Sequence, residues 1–374
     1  MPTHIKDVED IRGKRVLLRA DFNVPINNGE IRDDYRIEST LETIEYLVSK
    51  GARVLIISHL GRKGSETLLP VATYLEKKFS ITFCPEHFGE QAQSLVDNIQ
   101  EGEVVLFENI RSDEREKEGN EAFAKQWAEY ADMYVNDAFA VSHRAHASVV
   151  AITEFLPSYM GFQLAKEIEN LSKVFKPKKP FVFLLGGAKT ETKLPLIEKF
   201  MPTADTIFAG GVMANDLCLA EGMRVGDESA YSEGTFDFSR VLSAQNVIRP
   251  LDLQIKRGEE LLFAHPKDIL PSDKVVDSAG PETLSVLKEK IMQAEMVLWN
   301  GPLGSYESGY KEATLKLAKL VGQSNAISIV GGGDTVAAIK ELNLFDSLTF
   351  VSTGGGAMLE YLANESLPGI EALS

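Results

Sequence analysis

The chain has 374 residues, 44% hydrophobic and 25% charged, which is the composition of a globular protein and more than one ordinary core holds. A formal net charge of −16 argues against nucleic acid or an anionic membrane as partner. No apolar run reaches the roughly 18 residues of a membrane span. The opening MPTHIKDVEDIRGKRVLLRADF has no basic stretch leading into an apolar one, so a cytoplasmic protein without a secretory signal is expected. Cys84 and Cys218 show no metal-type spacing and read as reduced thiols.

In chain order, segments 15–22, 52–59, 103–110 and 132–139 are short, rich in Val, Ile, Leu and Phe, and bounded by polar residues, as buried strands are. Between them, Glu38 to Lys50 puts Leu41, Ile44, Leu47 and Val48 on one helical face, with Gly51 as the stop; 69–79 and 121–130 fit the same role. Alternating strand and helix predicts a parallel sheet with crossover helices. These strands run into charge. Asp21, Asn23, Arg36, His59, Arg62, Arg111, Arg144 and the pair His143/His146 fall on or just after strand ends, and ten of the fourteen arginines precede residue 150. Asp21 and Glu108 cannot match so many basic groups, so the surplus predicts a dianion, or a carboxylate plus phosphate, held by bidentate arginine. A metal is the poorer reading there, because His143 and His146 lack a nearby third ligand.

Next, MGFQLAKEIENLSKVFKPKKP carries Met160, Leu164, Ile168, Leu171 and Phe175 as one helical stripe ended by Pro177, which reads as a connecting helix. The strand grammar then resumes near 181–185, 206–209, 247–251, 296–300, 326–330 and 348–352, but these strands run into glycine: Gly186-Gly187, Gly210-Gly211, Gly331-Gly332-Gly333 and Gly354-Gly355-Gly356. Glycine lets backbone amides approach phosphate oxygens with no Cβ in the way. In GGAKTETK, Lys189 and Lys193 stand at i and i+4 and share a face if a helix begins there. Asp334 reads either as a helix N-cap or as a carboxylate reaching magnesium on the phosphates. The P-loop, the dinucleotide fingerprint and the protein-kinase signature set are all absent. Leu359, Leu362, Leu367 and Ile370 are expected to dock the last residues back on the first domain.

The expected fold is therefore α/β: two doubly wound parallel-sheet (Rossmann-like) domains joined by a connecting helix and hinge. The expected boundaries are 1–158 for an anion-binding domain, 159–176 for the helix, 177–356 for a nucleotide-binding domain, and 357–374 for the returning segment. An arginine-rich site facing an amide-rich one suggests phosphoryl transfer.

RADFNVP, DDYRIEST, SHLGR, LFENIR, NDAFAVSHRAHAS, GGAKTETKL, LWNGPLGSYE, GGGDT and STGGGA appear in the order seen in phosphoglycerate kinases, which the chain resembles from end to end. The resemblance implies reversible transfer of the acyl phosphate of 1,3-bisphosphoglycerate to MgADP, giving 3-phosphoglycerate and MgATP, by a monomer. By position it assigns Asp21, Phe22, Asn23, Arg36, His59, Leu60, Gly61, Arg62, Arg111 and Arg144 to the triose. Lys193, Glu307, Gly332, Gly333, Asp334 and Thr335 match the nucleotide motif, alongside Gly187, Gly210 and Gly211. Glu307 is expected on the ribose and Asp334 near the metal. Arg36, Lys189, Lys193 and the amides of Gly354, Gly355 and Gly356 would surround the migrating phosphoryl group. The competing readings are a nicotinamide-dependent dehydrogenase and a non-catalytic hinged binding protein.

Overall fold

The computed structural model describes residues 2–374. The alternation of apolar strand and amphipathic helix forms two units, one running up to Glu169 and taking back Asn364–Ser374, the other spanning Asn170–Ala363. The change of unit falls inside a helix, within the segment 159–176 expected to connect the two domains.

The first unit runs β1 (Arg15–Arg19), the small hairpin β2 (Ile26–Asn27) and β3 (Glu30–Ile31), α1 (Tyr35–Ser49), β4 (Arg53–Ile57), α2 (Leu69–Leu75), β5 (Ile81–Cys84), α3 (Glu90–Asn98), β6 (Val104–Phe107), α4 (Glu121–Ala128), β7 (Met133–Asn136) and β8 (Ser158–Met160). Six strands form a parallel sheet in the order β5-β6-β4-β1-β7-β8. Central strands such as β6, VVLF, are buried at every residue, because helices cover both faces of a parallel sheet. Ile37, Ile44 and Leu47 of α1 pack on β1 and β4 in one core with Phe22 and Leu60. The helix α5 (Phe162–Ser172) is capped from the sheet: Asp137, just after β7, accepts from the Leu164 amide at 3.1 Å.

The second unit runs β9 (Phe181–Leu185), α6 (Thr190–Phe200), β10 (Thr206–Ala209), α7 (Val212–Ala220), α8 (Ser239–Ser243), β11 (Val247–Ile248), β12 (Leu253–Arg257), β13 (Glu260–Ala264), β14 (Asp273–Asp277), α9 (Pro281–Gln293), β15 (Met296–Asn300), α10 (Glu312–Gln323), β16 (Ile327–Gly331), α11 (Gly333–Glu341), β17 (Phe350–Val351) and α12 (Gly356–Asn364). Its parallel sheet has the order β11-β10-β9-β15-β16-β17. Counted within the sheet this is 3-2-1-4-5-6, the doubly wound order, reversing direction between β9 and β15. In the first unit the corresponding reversal lies between β1 and β7. Such switch points open a crevice at the carboxyl ends of the strands. The C-terminal helix α13 (Pro368–Glu371) belongs to the first unit, where the Gly369 amide donates to the Ser142 carbonyl at 2.8 Å.

Three features depart from the sequence expectation. β5 and β8 are edge strands, short and only partly buried, so their apolar pattern is weak. The strand expected over 247–251 stops at Ile248, before Pro250, which has no amide to give a ladder. A separate antiparallel sheet, β13-β12-β14, fills the stretch after it.

Candidate active site

In the first unit the carboxyl ends of β1, β4, β6 and β7 bring the charged residues together. Asp21 is buried; its Oδ2 lies 3.2 Å from Arg36 Nη1, and its Oδ1 accepts from the Asn23 amide. Arg36, in the first turn of α1, also donates to the Asn23 carbonyl at 3.2 Å. Asn23 Oδ1 in turn accepts from the Gly61 amide at 2.9 Å, fastening the β1 loop to the β4 loop. Phe22 and Leu60 send their side chains into the core and serve the site by holding the backbone between polar neighbours. Arg111 is buried and donates from Nη1 to the Gly61 carbonyl at 2.6 Å, while its Nε has no partner. Burial and the nearby Arg19 and Arg144 pull its pKa down to about 10. Arg62 and Arg144 are exposed; Arg144 donates to His143 Nε2, and Arg62 has no ion pair among the described residues.

His59 is fully enclosed, and burial, reinforced by Arg19, Arg111, Arg36 and Arg144, holds its pKa well below the usual imidazole range. Its Nδ1 lies 3.2 Å from Arg19 Nη2. A guanidinium can only donate, so Nδ1 accepts and the neutral ring carries its proton on Nε2. His59 is therefore a neutral donor in a field of positive charge.

The counter-charge differs from expectation. Glu108 is turned into its own loop, accepting from Thr67 Oγ1, the Leu68 amide and the Asn109 amide. The second buried carboxylate is Glu116, which accepts from the Ser148 hydroxyl at 2.6 Å and the Ser148 amide at 2.9 Å. His146 Nδ1 lies 3.6 Å from the same carboxylate. Beside it, the fully buried Arg19 donates to Ser148 Oγ at 2.8 Å.

In the second unit the glycine loops behave in two ways. The amides of Gly186, Gly187, Gly210 and Gly211 are donated within the protein, to the Asn300, Pro302 and Leu185 carbonyls and to Ser278 Oγ. A Cβ on Gly211, whose φ is +64°, would lie 2.4 Å from the Gly187 backbone. These glycines let adjacent strand ends pack backbone to backbone. Gly333 and Gly356 instead open α11 and α12, where amides have no intrahelical acceptor, and nothing crowds their Cβ positions. Gly355 is equally open, whereas the Gly354 amide is donated to Ser352 Oγ.

Lys189 is the exposed N-cap of α6, outside the helix, and Lys193 is buried in its first turns, so the two do not share a helical face. The Lys193 ammonium lies against Gly187, with no hydrogen bond or ion pair among the described residues. Burial, with a smaller push from Lys189, lowers its pKa to about 8. A cavity of about 230 Å³ adjoins it, lined by Gly187, Gly211, Asn215, Leu303, Glu307 and Asp334 among others. The N-cap of α11 is Gly332, so Asp334 is the second helical residue; burial and then Glu307 raise its pKa. Thr335 is buried and accepts from the Gly301 amide at 3.0 Å, tying β15 to α11.

The phosphoglycerate kinase family model matches residues 5–365. The chain belongs to the phosphoglycerate kinase family. It is 40% identical over 393 residues to the phosphoglycerate kinase of Thermosipho africanus, covering 99% of this chain and 97% of that one. Identity to the enzyme of Borrelia hermsii is 40% over 387 residues, covering 99% and 98%. The solved phosphoglycerate kinase structure from Coxiella burnetii superposes with a TM-score of 0.84 at 33% identity, over 100% of this chain and 99% of that one. That from Pyrococcus horikoshii gives 0.88 at 30%, over 99% and 98%. Membership makes the chain a glycolytic kinase, a phosphotransferase with a carboxyl acceptor that uses phosphoglycerate and an adenine nucleotide. The dehydrogenase and non-catalytic readings fall with it.

Read as a phosphoglycerate kinase, the chain has residues around its site that pattern reading passed over. Arg19 carried a signal, a cation inside the apolar run RVLLRADF. Asn109 carried little. Its side chain accepts from the Leu60 and Arg111 amides and donates to the Leu60 and Glu66 carbonyls, which shapes the whole 60–66 loop. Three of these four bonds join segments over 40 residues apart, and no spacing announces them.

Proposed function

We propose that the arginine cluster of the first unit holds the triose and the second unit holds the nucleotide, so that a phosphoryl group moves reversibly between 1,3-bisphosphoglycerate and MgADP. The observation that carries this reading is a buried cation with unused donors in each unit: Arg111 Nε in one, Lys193 Nζ in the other. A buried cation with an unmatched donor is costly, and a bound anion removes the cost. Arg36, Arg62, Arg111 and Arg144 would neutralise the substrate's phosphate and carboxylate, with Asn23 and the neutral Nε2–H of His59 giving directional hydrogen bonds.

During transfer a β-phosphate oxygen of ADP bonds to phosphorus as the bond from phosphorus to the acyl oxygen breaks, and the carboxylate of 3-phosphoglycerate leaves. No proton has to move, so the protein's task is alignment and charge neutralisation. Arg36, Lys189 and Lys193, with the open amides of Gly333, Gly355 and Gly356, are the groups suited to the equatorial oxygens.

Magnesium suits Asp334. No group of three or more candidate ligand side chains occurs among the described residues. Magnesium is commonly bound through one or two carboxylates with phosphate oxygens and water. Asp334 is a half-buried carboxylate on the cavity whose charge is disfavoured until a cation joins it. The ion would offset phosphate charge there.

A coupled assay for ATP-dependent phosphorylation of 3-phosphoglycerate tests the assignment, and no turnover with both substrates saturating would overturn it. We take the protein to act as a cytoplasmic monomer. In support, the cationic groups of both units lie on one chain, and no helix among the described residues is long and apolar enough to cross a membrane. Sedimentation velocity showing a stable dimer would contradict the monomer.

A further inference from the structure

The arginine cluster of the first unit is joined to a chain of buried polar contacts to which the residue pattern assigns no role. Arg19 is 0% exposed, so it cannot itself touch a ligand. Every arm of its guanidinium is committed: Nε donates to Ser148 Oγ at 2.8 Å, Nη1 to the Ala20 carbonyl at 2.6 Å, and Nη2 to His59 Nδ1 at 3.2 Å. The Ser148 hydroxyl donates in turn to Glu116 Oε1, and the Ser148 amide to Oε2. Glu116 is fully buried too. Against that burial, His146, Arg19 and Ser148 hold its pKa below the ordinary carboxylate range. Two opposite charges are therefore enclosed and linked through one hydroxyl. Burying such a pair is expensive, and apolar residues of similar volume often serve stability as well, so stability alone gives no reason for it.

The end of this chain nearest the cluster is His59, and the two ring nitrogens differ. Nδ1 faces Arg19. Asp21 Oδ1 lies 3.9 Å from the same nitrogen, too far for a hydrogen bond. Nε2 makes no hydrogen bond within the protein, and it is not among the polar atoms sealed from solvent without a partner. It is the end open to solvent, and Arg36, Arg111 and Arg144 lie around the ring. A ring proton on Nδ1 would set two donors against each other at Arg19. A proton on Nε2 leaves Nδ1 free to accept.

Resting on the triose reading of this unit, we propose that Arg19 is a positioning residue of the reaction: backed by Ser148 and Glu116, it keeps the ring proton of His59 on Nε2 and presents it to an oxygen of the triose. Without Arg19, Asp21 Oδ1 is the acceptor within reach of Nδ1. The proton then moves to Nδ1, and Nε2 turns a lone pair toward the substrate's oxygens. The site keeps its ligand-binding residues and loses a donor.

Nitrogen-15 NMR of the histidine-labelled full chain reads the tautomer, with His59 assigned as the signal lost in His59→Ala. The parent is expected to show His59 as the neutral Nε2–H form, and that N–H signal is expected to shift when 3-phosphoglycerate is added. In Arg19→Met the ring should change to the Nδ1–H form. Calorimetry should then show 3-phosphoglycerate binding roughly tenfold weaker, the worth of one hydrogen bond, with ADP binding within about twofold of the parent. In a His59→Ala background Arg19→Met should cost less than about twofold in triose affinity, because Arg19 acts through the ring. A parent ring protonated on Nδ1, an Nε2–H signal unmoved by bound 3-phosphoglycerate, a tautomer or triose affinity unchanged in Arg19→Met, or a full further loss in the double variant would each overturn the role of Arg19 while leaving the triose site in place. Absence of any 3-phosphoglycerate binding to the parent would instead sink the triose reading and this proposal together. If Arg19→Met fails to fold, the spectra of the parent with and without 3-phosphoglycerate decide.

Discussion

Lys193 shows how burial and function are linked at a single residue. An ammonium with no counter-ion titrates low because water is lost and nothing replaces it, and an arriving phosphate reverses the sign by favouring the charged form. In the free protein Lys193 titrates near 8. If Lys193 holds the nucleotide as proposed, raising the pH through 8 removes the charge it offers, and binding above that pH must take up a proton. ADP affinity is expected to be flat below pH 7 and to fall by up to about tenfold per unit above 8. Lys193→Met should be weaker at pH 7 and lose the slope, and calorimetry across pH 6.5–9.5 would show both. A slope unchanged in Lys193→Met would assign the titration elsewhere. At this scale the sequence was a fair guide to residue types and a poor one to partners. Lys189 and Lys193 look equivalent in GGAKTETK, yet one caps α6 in solvent and the other is enclosed.

Elements are where the glycine clusters separate into two kinds. All four looked alike as strand–glycine junctions, and pattern reading treated each as a phosphate cradle. Whether an amide is free depends on what crosses it, and β9, β10 and β15 converge so closely that their glycines are used up on each other. Gly211→Ala combines a left-handed backbone with a contact at 2.4 Å, so it is expected to cost roughly 2–4 kcal/mol, read as a lower urea midpoint. Gly356→Ala meets nothing within 4 Å and should leave the midpoint unchanged within about 0.5 kcal/mol. A loss of turnover with that unchanged midpoint would mark the α12 terminus as working on phosphate. The missed antiparallel sheet also belongs here. Arg257 and Glu260 are joined by the two residues Gly258-Glu259, with Gly258 at φ +62°, which is a hairpin signal of the glycine-first kind. The turn is legible in RGEE, a local signal inside an otherwise parallel pattern.

For the whole molecule, the division into units separates the two halves of the proposed chemistry. Arg36 belongs to the first unit and the cavity beside Lys193 to the second. Removing Arg36 should therefore spare nucleotide binding and strike only the transfer step. Arg36→Ala is expected to lose turnover on the order of 10³-fold while ADP affinity stays within about twofold of the parent. Near-normal turnover in that variant would remove Arg36 from the mechanism. An equal loss of ADP affinity would mean that the variant had damaged more than the first unit.

By itself the sequence determined the fold class, the two sheets and the loops that carry chemistry. Buried parallel strands need unbroken apolar runs, and whatever follows such a run must lie at the sheet's carboxyl edge. Strand periodicity and charge are local, so they survive in one dimension. Only the tertiary structure decided which amides are spent, which carboxylate opposes the arginines, and which lysine is enclosed. Those outcomes depend on packing between segments far apart in the chain: Glu116 meets Ser148, and Gly211 meets Gly187, because sheet topology brings them together.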